Sequence, residues 1–163
     1  MTLIIYIIDS SSLIELNKHN PMDVYPGVWQ KMEGLIKNGR ILAPREVLDE
    51  IEEYDDLLAQ WGKEHKKMFI EPTTEQIKIV KEILRKYPSI IKLDKKNCAD
   101  PWIIALAVEL NRNKQKTLIE IKRIVVTEEK IRGNRVRIPF ICNDFRIEAI
   151  DIIDMFRKEG WKF

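Results

Sequence analysis

Leu3-Ile4-Ile5-Tyr6-Ile7-Ile8-Asp9-Ser10-Ser11-Ser12-Leu13-Ile14 opens the chain and sets its architecture. Six consecutive apolar residues, mostly β-branched, predict a strand buried on both faces, as in a parallel sheet covered by helices. The run stops at an acid. Over residues 10–18, Leu13, Ile14 and Leu16 stand among polar neighbours, which predicts a helix that Asp9 or a serine could cap.

The same order recurs downstream. Pro26 opens a second predicted helix over 26–37, with Val28, Trp29, Met32, Leu35 and Ile36 on one face and Asn38-Gly39 closing it. A short strand is predicted over 40–43, and Pro44 starts a third helix whose stripe is Val47, Leu48 and Ile51. Residues 57–69 read as helical, with Leu58, Trp61 and His65 on one side, before the break at Glu71-Pro72. Further helices are predicted over 75–86 and over 102–110, the second opened by Asp100-Pro101 and apolar enough to lie against the sheet. Residues 123–127 predict another parallel strand, 128–137 a basic, Gly-containing loop, 147–150 a last short strand, and 152–158 a terminal helix stopped by Gly160. This alternation predicts the α/β class: a three-layer α/β/α domain with a central, mainly parallel sheet and right-handed crossovers. No repeat, low-complexity stretch or linker divides the chain, so residues 1–163 are expected to form a single domain.

With 45% hydrophobic and 33% charged residues, the chain has the side chains for one core and lacks the signature of disorder. Its longest apolar stretches, 3–8 and 103–108, fall far short of the roughly 20 residues that span a bilayer. The start lacks a basic region and its apolar run ends at Asp9, which argues against a secretory signal. Cys98 and Cys142 are too few for a disulfide framework and suit a reducing compartment, so a cytoplasmic address is expected. The net charge of +2 hides an asymmetry. Residues 46–56 hold seven acids and no base, whereas 112–137 hold nine bases against three acids, a segment able to contact phosphates.

Ligands of open α/β sheets collect at the carboxyl ends of strands, which gives weight to acids placed there. Asp9 follows the first strand, Glu128 and Glu129 follow the 123–127 strand, and Glu50 and Asp100 lie near helix starts facing the same edge. Each has a plainer reading: Asp9 and Asp100 as helix caps, the three glutamates as solvated surface. Taken together, converging carboxylates repel unless a cation compensates, and an all-oxygen set suits Mg²⁺ or Mn²⁺ rather than zinc. Cys98, Cys142, His19 and His65 have no zinc-ligand spacing. There is no Walker A or Gly-x-Gly-x-x-Gly loop to cradle a nucleotide.

Four segments resemble the motifs of PIN-like domains, the family that includes toxin-type ribonucleases. Residues 7–14 (Ile-Ile-Asp-Ser-Ser-Ser-Leu-Ile) resemble the opening motif, and 44–51 (Pro-Arg-Glu-Val-Leu-Asp-Glu-Ile) the second, in which Glu50 supplies the acid. Residues 99–107, beginning Ala-Asp-Pro-Trp, are similar to the third motif, and 125–129 (Val-Val-Thr-Glu-Glu) to the fourth. In order and spacing the four span nearly the whole chain. The fourth departs from the pattern by offering Glu129, beside Glu128, where Asp is commoner, with Asp144 a remote substitute. The tail, 138–145, is longer than in the commonest toxin-type members.

The resemblance implies metal-dependent hydrolysis of RNA phosphodiester bonds. Asp9, Glu50 and Asp100 would hold Mg²⁺ or Mn²⁺, with Glu129 or Glu128 completing the shell or holding a second ion, and Ser10 or Thr127 supporting a carboxylate or phosphate. Lys130, Arg132, Arg135 and Arg137 would track the RNA backbone. The family further implies a homodimer and an antitoxin protein as partner. The alternative expectation is a non-catalytic PIN-like module that binds RNA or protein, suggested by the altered fourth motif.

Overall fold

A computed structural model of the chain describes residues 2–91, 98–113, 118–133 and 135–163. The apolar opening forms β1 (Thr2–Ile8), and its three central-to-final residues Tyr6, Ile7 and Ile8 are wholly buried. Next come α1 (Ser10–His19), α2 (Pro26–Lys37), β2 (Ile41–Pro44), α3 (Arg45–Tyr54) and α4 (Asp56–Glu64). They are followed by β3 (Phe69–Ile70), α5 (Thr74–Lys86), α6 (Asp100–Arg112), β4 (Glu120–Val126), α7 (Ile138–Asp144), β5 (Glu148–Ile150) and α8 (Ile152–Glu159). Short 3₁₀ turns lie at Lys66–Met68 and Pro88–Ile90.

The five strands make one sheet in the order β3-β2-β1-β4-β5, and every pairing is parallel. Helices flank it, so the expected three-layer α/β/α class is the observed one. α1, α3 and α4 pack together, as do α5, α6 and α7, with α6 against β1, β2 and β4. The apolarity of α6 has a direct cause in this position: Ile103 to Val108 are all buried, and no polar side chain could be tolerated on most of its surface. The strand order reverses between β1 and β4, which is where a doubly wound sheet opens a crevice beyond its carboxyl ends.

Three local outcomes differ from the sequence reading. Residues 57–69 divide into α4, a turn and β3, because Phe69 and Ile70 extend the sheet edge with a pairing too short to leave a periodic signal. β4 begins three residues earlier than 123 and ends at Val126, leaving Thr127 just beyond it, since all seven residues pair with β1. The tail contains α7, with Pro139 in its first turn and Ile138, Ile141 and Cys142 buried on one face. Among the described residues no helix is long and apolar enough to cross a membrane.

Candidate metal centre

β1 delivers Asp9 to the crevice, and its backbone amide continues the ladder by donating to Val126 O at 2.8 Å. Asp9 occupies the N-cap position of α1, yet its side chain caps nothing there. The carboxylate is 2% exposed and is turned toward the crevice instead. Glu50 comes from α3, on the same face as buried Val47 and Ile51, and is 9% exposed. Asp100 is the first residue of α6, with Ala99 as the cap, and is 4% exposed. The capping reading therefore does not describe what the Asp9 side chain does, and Asp100 is not the cap residue of α6.

One oxygen from each of Asp9, Glu50 and Asp100 lies within 4.8 Å of the others. Two oxygens on opposite sides of a divalent ion, each about 2.0–2.6 Å from it, are separated by about 4–5 Å. The donor set and its span thus fit a hard cation such as Mg²⁺ or Mn²⁺.

Hydroxyls hold the carboxylates in place. Ser11 Oγ donates to Asp9 Oδ2 at 2.6 Å and Thr127 Oγ1 donates to the same oxygen at 2.9 Å. Ser10 Oγ reaches Glu50 Oε1 at 3.1 Å and Asp9 Oδ1 at 3.4 Å, linking two of the acids. Ser10 and Thr127 were legible as supporting residues; Ser11 was not singled out, although its place two residues after Asp9 in the first turn of a helix was visible. Ser11 Oγ also accepts from the Glu128 amide at 3.0 Å, which ties the loop after β4 to the helix after β1. Burial pushes the Asp9 carboxyl up to about 6; the Ser11 and Thr127 hydroxyls oppose this, and the carboxylates of Glu129 and Glu50 add to it.

The remaining sequence candidates are distributed around this trio. Glu129 is near enough to act on Asp9 electrostatically, and its Oε2 accepts from the Ile138 amide at 3.0 Å. Glu128 faces another way: its Oε1 accepts from Ile152 N at 3.1 Å at the start of α8, where burial raises its carboxyl above the ordinary range. Asp144 is remote, held at the surface by Lys86 Nζ at 2.7 Å and by the Tyr87 hydroxyl. Cys142 is buried near Asp9 and Glu129, and burial followed by those two charges pushes its thiol up to about 12, so it is an inert wall.

A protein-family profile matches residues 6–163. The chain belongs to the family described as domain of unknown function DUF4411. The DUF4411 match includes Asp9, Glu50 and Asp100 and every helix of the fold. No curated protein and no solved structure matches the chain.

In this DUF4411 domain the basic loop leaves the same sheet edge as the acids. Lys130 pairs with Asp151 at 2.8 Å, whereas Arg132 and Arg135 are exposed and Arg137 is half-buried at the start of α7. Among the described residues no ion pair engages these three arginines. Lys114 and Lys116, part of the basic segment, lie outside the described residues.

Proposed function

We propose that this protein is a metal-dependent ribonuclease of PIN type. The observation that carries the reading is the meeting of Asp9, Glu50 and Asp100, three acids from distant parts of the chain, within 4.8 Å at the switch point of the sheet. Burial first, and the charges of Glu129 and Glu50 after it, raise the affinity of Asp9 for a proton or a cation. Desolvated acids on three separate elements destabilise a fold and are understandable where a divalent cation is to be held. The four PIN-like motifs and the exposed bases beside the site support the same reading.

The roles of the chain's own groups follow from their placement. Asp9, Glu50 and Asp100 would hold Mg²⁺ or Mn²⁺. When bound, such an ion lowers the pKa of water for attack and offsets charge on a scissile phosphate. Ser11, Thr127 and Ser10 fix the carboxylate orientations, which limits the rearrangement needed to accept a ligand. Glu129, whose charge acts on Asp9, would accept a proton or steady a water near the phosphate. Arg132, Arg135 and Arg137 would contact the RNA backbone, giving binding that weakens with salt. A cytoplasmic address, an antitoxin protein and a homodimer rest on the family resemblance alone.

Cleavage of a single-stranded RNA with Mg²⁺ or Mn²⁺ tests the reading. Wild-type protein is expected to cleave, and Asp9→Asn to lose activity by about 10²–10³-fold, the scale of removing one electrostatic contributor. One observation favours a second reading, a non-catalytic PIN-like module that binds RNA or protein: Glu129 is held by Ile138 N and is not part of the close trio. Salt-sensitive RNA binding by wild type without cleavage in either metal would select that module.

A further inference from the structure

A second set of charged groups lies at the opposite, amino-terminal edge of the sheet. A cavity there, about 580 Å³, is lined by Thr2, Asn111, Arg123 and Arg146 among others. Arg123 belongs to β4, and at about 3.3 Å per residue its α-carbon lies about 13 Å along the strand from Thr127 of the carboxylate site. We infer that this cavity binds a phosphate group through the guanidinium groups of Arg123 and Arg146.

Three observations converge on it. The first is an orphan donor: Arg123 Nε is buried and has no hydrogen-bond partner among the described residues. Buried donors are paired in more than about 90% of cases, so Arg123 is held here at a cost that an anion on its guanidinium group would offset. Partial burial, with no carboxylate acting on it, also lowers the Arg123 pKa from its ordinary value. An anion would reverse that penalty.

The second is backbone strain. Arg146 is the one non-glycine residue with positive φ, 58°, among the described residues. It closes α7 with the pattern usual for a glycine: Arg146 N donates to Asn143 O at 3.2 Å and Ile147 N to Cys142 O at 2.8 Å. An arginine at a left-handed helix end carries a steric penalty that glycine would avoid. The side chain, which lines the cavity, is what this position gains in exchange.

The third is the charge balance. The two acids at this cavity already have partners: Glu148 is bound by Lys122 at 2.6 Å and Lys158 at 3.4 Å, and Glu120 accepts from the Thr2 hydroxyl at 3.1 Å. Arg123 and Arg146 form no ion pair among the described residues. Their planar forks match phosphate oxygens two at a time, which a lysine could not do. Asn111 supplies a neutral donor beside them.

The test is calorimetric titration of the full chain with inorganic phosphate, in EDTA and at ionic strength matched with chloride, so that no metal at the carboxylate site contributes. Wild type is expected to bind, and Arg123→Gln and Arg146→Gly each to weaken binding at least about ten-fold. Arg146→Gly should at the same time melt roughly 2–4 °C higher, because it relieves the left-handed strain. Failure to fold therefore cannot account for its loss of phosphate. A second arm identifies the source of the phosphate. Competition between inorganic phosphate and a short single-stranded RNA, with RNA weakened by Arg146→Gly, assigns the site to a nucleic-acid backbone. Phosphate binding with RNA unaffected assigns it to a small phosphate or nucleotide. No phosphate binding by wild type, or wild-type affinity in both variants, overturns the inference.

Discussion

Two places along β1 treat acidic side chains in opposite ways. Over the middle of the strand, Glu159 of α8 receives both terminal nitrogens of Arg40, at 2.8 and 2.7 Å, and the Tyr6 hydroxyl at 2.7 Å. Arg40 Nε donates to Ile4 O at 2.9 Å, so the cluster clamps the last helix to the central strand. Burial, then the Glu159 hydrogen bond and charge, raises the Tyr6 pKa and keeps its hydroxyl a donor. At the carboxyl end, Asp9 meets Glu50 and Asp100, and its carboxylate accepts from the neutral hydroxyls of Ser10, Ser11 and Thr127. One arrangement places opposite charges in a two-pronged pair and stabilises the fold. The other brings three carboxylates together, an arrangement whose donor set suits a cation.

This contrast predicts mutations of opposite sign. The largest effect is at Asp9: Asp9→Asn should abolish most RNA cleavage in the assay above, and in metal-free buffer at pH 7 it should melt higher than wild type, by roughly 3–6 °C. A lower melting point would place Asp9 among ordinary structural residues. Arg40→Ala should do the reverse. Leaving Glu159 partly buried without its partner is expected to cost about 2–4 kcal/mol, read as a denaturation midpoint shift, while Mn²⁺ affinity stays at the wild-type value. A clear loss of Mn²⁺ affinity would mean that the two clusters are coupled.

The pH dependence sharpens the same comparison. Asp9 titrates near 6 in the fold against an ordinary 3.8, so between those values the folded state holds more protons than the unfolded chain. Stability from this group is therefore highest below about pH 4 and declines as pH rises through 6, by on the order of 2–3 kcal/mol in all. The melting-temperature difference between Asp9→Asn and wild type should widen from pH 4 to pH 7 and close again when saturating Mn²⁺ is added. A difference independent of pH would contradict the shift. The smallest effect belongs to Ser11→Ala, which removes a 2.6 Å hydrogen bond without removing a ligand. Mn²⁺ affinity should fall by about 10–100-fold with little change in melting temperature, as measured by titration.

Much of this is legible in the sequence. β1 and α6 announced themselves because burial on nearly every side demands uninterrupted apolar sequence, and the acids at their borders then stood out by position. Glu50 stands out through the second PIN-like motif, while the stripe of Val47, Leu48 and Ile51 leaves it only a flanking residue; in the fold it is buried with Val47 and Ile51. What escaped detection has equally specific causes. β3 pairs only two residues, too few for alternation to show, and α7 hides its Ile138, Ile141 and Cys142 face behind a proline that reads first as a loop signal. Ser11 was overlooked because one serine in a run of three says nothing about which hydroxyl turns inward. Glu128 and Glu129 look alike in sequence, and only the opposite directions of their hydrogen bonds, to Ile152 and to Ile138, distinguish them.

The most direct test of the central claim is Mn²⁺ binding followed by electron paramagnetic resonance, wild type against an Asp9→Asn/Asp100→Asn double variant, with folding of both checked by circular dichroism. Wild type should bind at least one ion per chain, displaceable by Mg²⁺, and the folded double variant should bind none at the same concentrations. Equal Mn²⁺ uptake by the two folded proteins, or none by either, would contradict the claim that these acids are gathered to hold a cation.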